Sequence, residues 1–568
     1  MSNNQFASFN PTTALSSIAH DPLVTLSSNC IRDFFGPTVQ LVADCLQAQG
    51  GASTLAQIIN TIKTKLEERG RTKERVEMIK VTRLRTISSF GRPSANSIGA
   101  ALLVLIQHSI VTYTKTLTVI REKKKMIYRY KFDPDRARLL PRYPRYVEYT
   151  KKSMGEIGAA LIEELLLQGR MRTVDAVEQT VEQLKQLKSP PASDRYTYRE
   201  AVLGCFGRLV QGGYIEEVTE VKDDGGDAGE TEFHGLDTLL GNEESKEKVD
   251  SNDNPATVSL LQSGQYKSLQ PSTVWKVNIR MFHDSLRAVS LGTLVYEIYG
   301  QKVQFAGSMV AAALKLAAYK EHAEGDKNFE SQKLFSTENI QRYLSKPVFQ
   351  DLEKKPGGVN LNMYKTLLEL CKCHHPQVVQ QVEVADGHPE NAKFQITTSR
   401  LVQFLQDRIA KQIILDSHGE IAARVYAILR AKGSLESDTI AEIAMVPAKE
   451  TREVLHRLYR EKYIALFNLN QGKQHNPTSM FYIWSVSHAR TLQHTTDSVC
   501  TALYNMRLRR QHEVEVGKEW IERQEHGAEE ENESEIDKLK FTQFCKGMER
   551  LDRAALQLDE TLMVLKDY

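Results

Sequence analysis

The chain has 568 residues, of which 41% are hydrophobic and 26% charged, and its formal net charge is +2. This length is too great for a single core, so several domains are expected. The seven cysteines are scattered and no apolar run is long enough to span a bilayer, which argues against a disulfide-rich secreted protein and against a membrane protein. We expect no signal peptide and a reducing, intracellular setting.

The charges are segregated along the chain. Residues 61–152 carry 23 Lys and Arg against 8 Asp and Glu, whereas residues 216–253 carry 3 against 14. A basic region followed by an acidic one predicts a polyanionic partner for the first and a solvated linker for the second.

The first part of the chain predicts one small module. Residues 1–28 are polar and predict a disordered tail. Residues 29–138 hold three apolar-periodic helices with a basic insertion at 63–92, then strands at 117–120 and 126–132 around a tip at 121–125. Three helices followed by a hairpin is the order of a winged helix-turn-helix, which presents its third helix and its wing to nucleic acid or protein.

The same order recurs further along the chain. Residues 139–218 predict a second module, whose connector containing Pro141 and Pro144 is expected to be extended. Residues 219–271 are predicted to be an acidic, flexible linker. A less regular third module is assigned to 272–415, and a clear fourth to 416–486.

An internal repeat supports this division. The junction between third helix and strand recurs at Leu105–Val111, Leu209–Ile215 and Leu458–Ile464. In each copy two apolar residues end a helix, three mostly polar residues turn, and two apolar residues begin a strand. Repetition at this level indicates one supersecondary unit copied along the chain.

Residues 487–568 predict a C-terminal antiparallel coiled-coil hairpin of two long helices. Apolar residues in the second helix step by four and three, as in a heptad seam. The protein-interaction candidates on this seam are Phe544, Met548, Leu551, Leu558, Leu562 and Leu565. One amphipathic helix lying on a neighbouring domain is the alternative. The predicted fold is therefore mainly α with small β-hairpins: four tandem winged-helix modules followed by a C-terminal antiparallel coiled coil.

The basic face of the first module is the candidate DNA-binding surface. Its cations can neutralise phosphates without reading sequence, and the start of the third helix can meet a phosphate. The candidates are Arg83, Arg85, Arg92, Asn96, Lys123, Lys124, Lys125 and Arg129. The alternatives are that these charges only solvate the wing or that they bind an acidic protein. The later modules lack this surplus and are expected to be protein-binding or structural copies.

Catalytic and cofactor motifs are not found in the sequence. No glycine-rich phosphate loop, nucleophile elbow or helical His-Glu-x-x-His occurs. Cys371, Cys373, His374 and His375 crowd into five residues, whereas a structural zinc site usually has two separated ligand pairs, so no metal is predicted. His283 beside Asp284 is interpreted as a surface or capping pair. We predict a protein that is not an enzyme and has no cofactor.

Several stretches together carry a family resemblance: Tyr143-Pro-Arg-Tyr, Glu163-Glu-Leu-Leu-Leu, Val277-Asn-Ile-Arg-Met-Phe-His, Ala444-Met-Val-Pro-Ala-Lys-Glu, the Phe481-Tyr482 strand and the C-terminal heptads. Over nearly its whole ordered length the chain resembles the largest, tandem winged-helix subunit of the RNA polymerase III initiation heterotrimer. The N-terminal tail, the acidic linker and the basic insertion depart from that pattern.

The resemblance implies a nuclear, non-catalytic subunit similar in role to the large subunit of TFIIE. It implies partners in the clamp region of the polymerase III core, the other two heterotrimer subunits, a TFIIIB-type factor, and duplex and opening promoter DNA, with no membrane. It implies a role in loading and opening promoters of tRNA, 5S and other short genes. The family's loop between modules two and three is often basic, whereas residues 216–253 here are acidic. The alternative is a free-standing winged-helix DNA-binding regulator.

Overall fold

The computed structural model describes residues 21–65, 95–120, 123–187, 195–218, 269–324, 334–373, 376–383, 392–470, 480–518, 520–521 and 535–568. They form two compact units. The first holds the chain up to Asn278 together with Arg507–Gln511, and the second holds Ile279–Met506 together with His512–Tyr568. No helix among these residues is both long and apolar enough to cross a membrane.

The first unit is mainly helical with two small sheets. In chain order its elements are α1 (Pro22–Phe35), α2 (Pro37–Ala48), α3 (55–65), α4 (Ala95–Gln107), β1 (Val111–Ile120), β2 (Lys123–Phe132), α5 (Pro134–Ala137), a 3-10 turn (Leu140–Arg142), α6 (Tyr143–Met154), α7 (Glu156–Gln168), β3 (Arg170–Arg172), α8 (Thr173–Leu187), α9 (Arg195–Gln211), β4 (Ile215–Glu217) and β5 (Val274–Val277).

Helix α1 begins within the segment predicted to be a disordered tail. Asp21 caps it by accepting a hydrogen bond from the backbone N–H of Leu23 at 3.0 Å, and Pro22 occupies its first turn. An aspartate cap followed by proline is a strong helix start, because neither residue costs the helix a backbone hydrogen bond. The tail prediction is therefore wrong for residues 22–28, and residues 1–20 lie outside the described residues.

The connector predicted to be extended is helical. A 3-10 turn runs into α6, which has Pro144 in its first turn. Proline is well tolerated there, because the first N–H groups of a helix have no intrahelical partner. This turn brings Arg142 and Tyr146 into the fully buried core of the unit.

A strand from beyond the acidic linker completes the second sheet. β5 lies between β3 and β4 and pairs antiparallel with both, in the order β3-β5-β4. Trp275 on β5 is buried and donates its indole N–H to the Thr173 hydroxyl at 2.9 Å. The third module was predicted to begin at residue 272, but this strand pairs with β3 and β4, which lie within residues 139–218 of the predicted second module. Residues 219–268 of the predicted linker lie outside the described residues.

The second unit holds two further small sheets and two long helices. Its elements are α10 (Ile279–Tyr299), α11 (Ala306–Glu324), β6 (Leu334–Phe335), α12 (Thr337–Gln341), α13 (Lys346–Glu353), α14 (Gly358–Cys371), β7 (Val379–Glu383), β8 (Lys393–Ile396), α15 (Thr398–His418), α16 (Glu420–Lys432), β9 (Leu435–Glu436), α17 (Ser437–Ala444), α18 (Ala448–Arg460), β10 (Ala465–Asn470), β11 (Met480–Ser485), α19 (His488–Val516, of which Arg507–Gln511 belong to the first unit) and α20 (Glu535–Lys566).

One sheet order occurs four times. In the three-stranded sheets β3-β5-β4, β6-β8-β7 and β9-β11-β10, the last strand lies between the other two. The first sheet follows the same order, because Ser53 makes an isolated antiparallel bridge to Tyr130 on β2, opposite β1. Each sheet therefore combines two consecutive antiparallel strands, which in the second sheet lie on either side of the predicted linker, with a short strand from between the preceding helices.

The repeated sequence junction is a repeated helix ending. Ser109, Gly213 and Lys462 each adopt a left-handed conformation, with φ of 58°, 72° and 63°. In each copy the backbone N–H of the next residue donates to the carbonyl five residues earlier, as Ile110 does to Leu105 at 2.9 Å. The N–H of the left-handed residue itself donates to the carbonyl three residues earlier. This is the Schellman motif, in which both bonds satisfy carbonyls left open at the helix end.

Candidate nucleic-acid and protein interfaces

A cationic ribbon is formed by β1 and β2. The strands pair antiparallel in unbroken register from Val111 opposite Phe132 to Ile120 opposite Lys123. Their twenty residues include six Lys or Arg and no Asp or Glu. At the base of the ribbon, Ser53 and Tyr130 exchange two backbone hydrogen bonds of 2.9 and 2.8 Å. The buried base holds the ribbon on the helices.

The two faces of the ribbon differ, because neighbouring side chains along a strand point to opposite faces. One face is apolar at its base and carries the cross-strand pairs Val111 with Phe132, Tyr113 with Tyr130, and Lys115 with Tyr128. The other face carries Thr112 with Lys131, Thr114 with Arg129, and Thr116 with Ile127. On this second face Thr112, Thr114, Arg129 and Lys131 are all exposed. The ribbon therefore has one packed face and one polar, cationic face.

Some of the residues predicted to bind DNA lie on this ribbon. Arg129 is exposed and lies opposite Thr114. Lys123–Lys125 lie within β2, because the cross-strand pairing continues further toward the tip than the sequence predicted. Asn96 lies in the first turn of α4, at the helix start where a phosphate contact was predicted. Arg83, Arg85 and Arg92 lie outside the described residues.

Two exposed residues of the ribbon were not predicted from the sequence as DNA-binding candidates. Thr114 and Lys131 were not named as candidates, although both are exposed beside Arg129 on one face. The alternation of threonine with apolar or basic residues from Val111 to Thr118 is the signal that could have identified this face.

His108 is a half-buried histidine in the turn that follows α4. The ring of His108 lies 4.6 Å from that of Phe35, and its Nδ1 atom is buried without a hydrogen-bond partner among the described residues. Burial lowers the pKa of His108 to about 4. Gly169 lies against the same turn, where an added Cβ would be 2.6 Å from the Gln107 carbonyl oxygen. This junction is tightly packed and keeps His108 neutral.

The predicted interaction seam on α20 divides into two parts. Phe544, Met548, Leu551 and Leu558 are half-buried. Leu562 and Leu565 are buried within the protein itself, so their packing is intramolecular and they do not belong to an open partner surface.

The helices at the chain end also meet near Phe544. Its ring lies 5.8 Å from that of Trp520, and a Cβ at Gly517 would lie 2.5 Å from the Phe544 ring. Glycine at the end of α19 therefore allows this ring to approach the backbone closely.

The last turn of α20 is held by a polar network on α15. The buried Gln406 amide donates to the Val564 carbonyl at 3.1 Å, and its side-chain oxygen lies 3.2 Å from His488 Nε2. Asp407 accepts from Arg430 at 2.8 Å and lies 3.1 Å from His488 Nδ1. The network thus joins α15, α16, α19 and α20 inside the second unit.

Exposed apolar side chains are concentrated in the segment from α16 to β11. Met445 is 90% exposed and has a left-handed conformation with φ of 53°, between α17 and α18. Phe467 and Phe481 are exposed on the β10–β11 hairpin, where the register places them on the same face. Exposed aromatic and apolar side chains of this kind are typical of protein-binding surfaces.

The remaining sequence candidates show no assembled site. Among the described residues no group of three or more His, Cys, Asp or Glu has the geometry of a metal site. Cys371 and Cys373 are half-buried at the end of α14, and His374 and His375 lie outside the described residues. Asp284 pairs with Arg287 at 2.7 Å, and burial raises the pKa of its carboxyl.

Comparisons with known proteins agree on one family. Residues 410–486 match a family model described as "POLR3C, C-terminal winged-helix domain". "DNA-directed RNA polymerase III subunit RPC3" of Mus musculus is 24% identical over 523 residues, covering 85% of this chain and 92% of the relative. The proteins of the same name from Homo sapiens and Danio rerio are 23% and 22% identical, covering 92% and 93% of their own length.

Proposed function

Since the chain belongs to the RPC3 family of DNA-directed RNA polymerase III subunits, we propose that it is a non-catalytic subunit acting in transcription initiation. Its role is to help load and open promoter DNA of tRNA, 5S and other short RNA genes. The observation that carries this proposal is the match over 85% of the chain to relatives that are themselves covered over 92% of their length. Binding, with no bond made or broken, is the mode of action.

The proposed architecture is four tandem winged-helix modules followed by an antiparallel coiled coil. The recurring sheet order and the three equivalent helix endings support the modules. The heptad pattern of α20 and the contact of Phe544 with Gly517 and Trp520 support a hairpin of α19 with α20. Repeated small modules on a helical support provide several separate surfaces, as a docking subunit requires.

The first module is the proposed DNA contact. Strands β1 and β2 concentrate cations and contain no Asp or Glu, and the start of α4 near Asn96 lies in the same module. Arg129 and Lys123–Lys125 supply sequence-independent attraction to phosphates. Such contacts suit a subunit that must hold different promoters in one position.

The later modules and the coiled coil are the proposed protein contacts. Exposed Met445, Phe467 and Phe481 present apolar surface in the fourth module. A second apolar surface is formed by the half-buried residues of the α20 seam: Phe544, Met548, Leu551 and Leu558. We assign to these surfaces the clamp region of the polymerase III core, the other two subunits of the initiation heterotrimer and a TFIIIB-type factor, in the nucleus.

Purification of the tagged native protein tests this proposal. The expected result is stoichiometric co-elution of polymerase III subunits at a salt concentration that removes nucleic acid. A free-standing DNA-binding regulator would instead elute without polymerase and would bind DNA with sequence selectivity on its own. Elution without polymerase overturns the proposal.

A further inference from the structure

We propose that the polar face of the β1–β2 ribbon is a phosphate clamp for the backbone of duplex DNA, centred on the cross-strand pair Thr114–Arg129 with Lys131 beside it. This inference rests on the proposed DNA contact of the first module and specifies its face, residues and ligand chemistry. The Thr114 hydroxyl and Lys131 extend the contact beyond the tip lysines.

The geometry of the pair suits one phosphate group. Thr114 and Arg129 are direct cross-strand partners, and the Cβ atoms of such partners lie about 4.5–5.5 Å apart. A hydroxyl donor and a guanidinium fork at that separation can donate to two oxygens of the same phosphate. Lys131, two residues from Arg129 on the same face, is positioned for a neighbouring phosphate.

The donors of this pair are not used within the part of the chain that the structure describes. Among the described residues, neither Arg129 nor Lys131 forms an ion pair, and the Thr114 hydroxyl has no hydrogen-bond partner. The neighbouring hydroxyls differ, because Thr112 and Thr116 donate to the carbonyls of Lys131 and Ile127 across the ribbon. Among the described side chains of this face, Thr114 therefore carries the hydroxyl that is free to meet a ligand.

Charge and shape favour duplex DNA as the ligand. The polar face exposes Arg129 and Lys131, and neither strand carries a carboxylate, which makes this face complementary to a polyanion. A two-stranded ribbon fits the major groove, where its polar face can meet the flanking phosphates. Because the donors are a hydroxyl and cations aimed at phosphate, the contact carries no base preference.

The opposite face supplies a matched control. Lys115 is a cation on the same ribbon, but it lies opposite Tyr128 on the other face. If only the total charge of the ribbon mattered, the loss of Lys115 would weaken DNA binding as much as the loss of Arg129. A clamp on one face predicts unequal effects.

The test measures binding of the full chain to a short duplex of arbitrary sequence over a range of salt concentrations. Arg129→Gln and Lys131→Gln are each expected to weaken binding roughly three- to tenfold and to reduce the slope of log affinity against log salt by about 0.9. Thr114→Val, which keeps the shape of the side chain, is expected to weaken binding roughly two- to fivefold with no change in slope, because no charge is lost. Lys115→Gln is expected to leave both quantities unchanged.

Two results would overturn the clamp. One is an equal loss for Lys115→Gln and Arg129→Gln. The other is displacement of DNA by polyglutamate with the same dependence on Thr114 and Arg129, which would identify an acidic protein as the ligand. Co-elution with polymerase III is measured for every variant and is expected to persist. A wild-type protein that does not co-elute contradicts the subunit proposal, whereas intact co-elution with equal losses contradicts only the clamp.

Discussion

The side-chain amide of Gln406 donates to the main-chain carbonyl of Val564 across 158 residues of sequence. The carbonyls of a final helical turn have no partner within the helix, and this one is met by a buried amide from α15. Gln406 also lies within 3.4 Å of the Leu565 carbonyl. A polar side chain in the core therefore fixes the place where α20 ends.

Replacing that amide should loosen the end of α20. Gln406→Met keeps the length of the side chain but leaves buried carbonyls unsatisfied, at a cost of about 1–3 kcal/mol. Hydrogen exchange in the peptide covering residues 560–568 should accelerate roughly 5- to 150-fold, which is the same cost expressed as a rate ratio. Gln403→Met, on the exposed side of the same helix, is the control. Equal exchange in both variants would show that the amide does not hold this turn.

The helix ending at Lys462 should tolerate glycine better than lysine. A residue with a Cβ atom costs about 1–2 kcal/mol in the left-handed conformation. Glycine avoids this cost, but it loses more backbone entropy on folding, which offsets part of the gain. Lys462→Gly should therefore stabilise the local fold by about 0.5–1 kcal/mol. Gly213→Ala, at the equivalent position, should destabilise by a similar amount. Hydrogen exchange at each junction measures both changes in local stability. Destabilisation by Lys462→Gly, or stabilisation by Gly213→Ala, would contradict the shared helix ending.

Helices α10 and α11 should not accept a methyl group where they cross. A Cβ at Gly292 would lie 2.8 Å from the Gly307 carbonyl oxygen, and a Cβ at Gly307 would overlap the Gly292 carbonyl oxygen. Because both obstacles are backbone atoms, Gly307→Ala should destabilise the second unit by about 1–3 kcal/mol. Gly207→Ala, in a helix with open space around it, should stabilise by about 0.5–1 kcal/mol. Thermal unfolding of the two variants measures the contrast, and similar shifts would contradict the close crossing.

Acid should weaken the junction that contains His108. The folded pKa of about 4 lies below the ordinary value of 6.5, so between these values the unfolded chain binds more protons than the folded one. The stability gained by keeping His108 neutral is fully present above pH 6.5 and is lost as the pH falls toward 4. In His108→Phe the first unit should lose less free energy of unfolding between pH 6.5 and 4 than in the wild type. His456→Phe, at an exposed position, should leave the loss in the first unit unchanged. An unchanged pH profile in His108→Phe would contradict the assignment.

The local parts of this fold could be predicted from sequence, and the non-local parts could not. Leu458–Ile464 and its two copies were recognised because a helix ending is encoded in a few consecutive residues. The position of Val274–Val277 was missed because its partners, Arg170–Arg172 and Ile215–Glu217, lie across a long linker. The helix at Tyr143 was missed because Pro144 was read as a helix breaker rather than as a first-turn residue.

The candidate site shows the same limit. Cations such as Arg129 stand out in the sequence, but the side of the ribbon that they occupy depends on its register. Thr114 becomes a candidate only once it is paired with Arg129, since threonine is common in strands for packing reasons alone. Gln406 gave no sequence signal, because its partner is a backbone carbonyl in a distant helix.

We propose that this chain acts in initiation by polymerase III without taking part in the chemistry of RNA synthesis. The most direct measurement uses polymerase III depleted of this subunit and compares transcription from a tRNA promoter with extension of a preassembled RNA–DNA hybrid. We expect promoter-dependent RNA to be lost on depletion and restored by the purified protein, while extension of the hybrid continues unchanged. Promoter-dependent synthesis that persists without the subunit, or extension that fails without it, would contradict the proposed role.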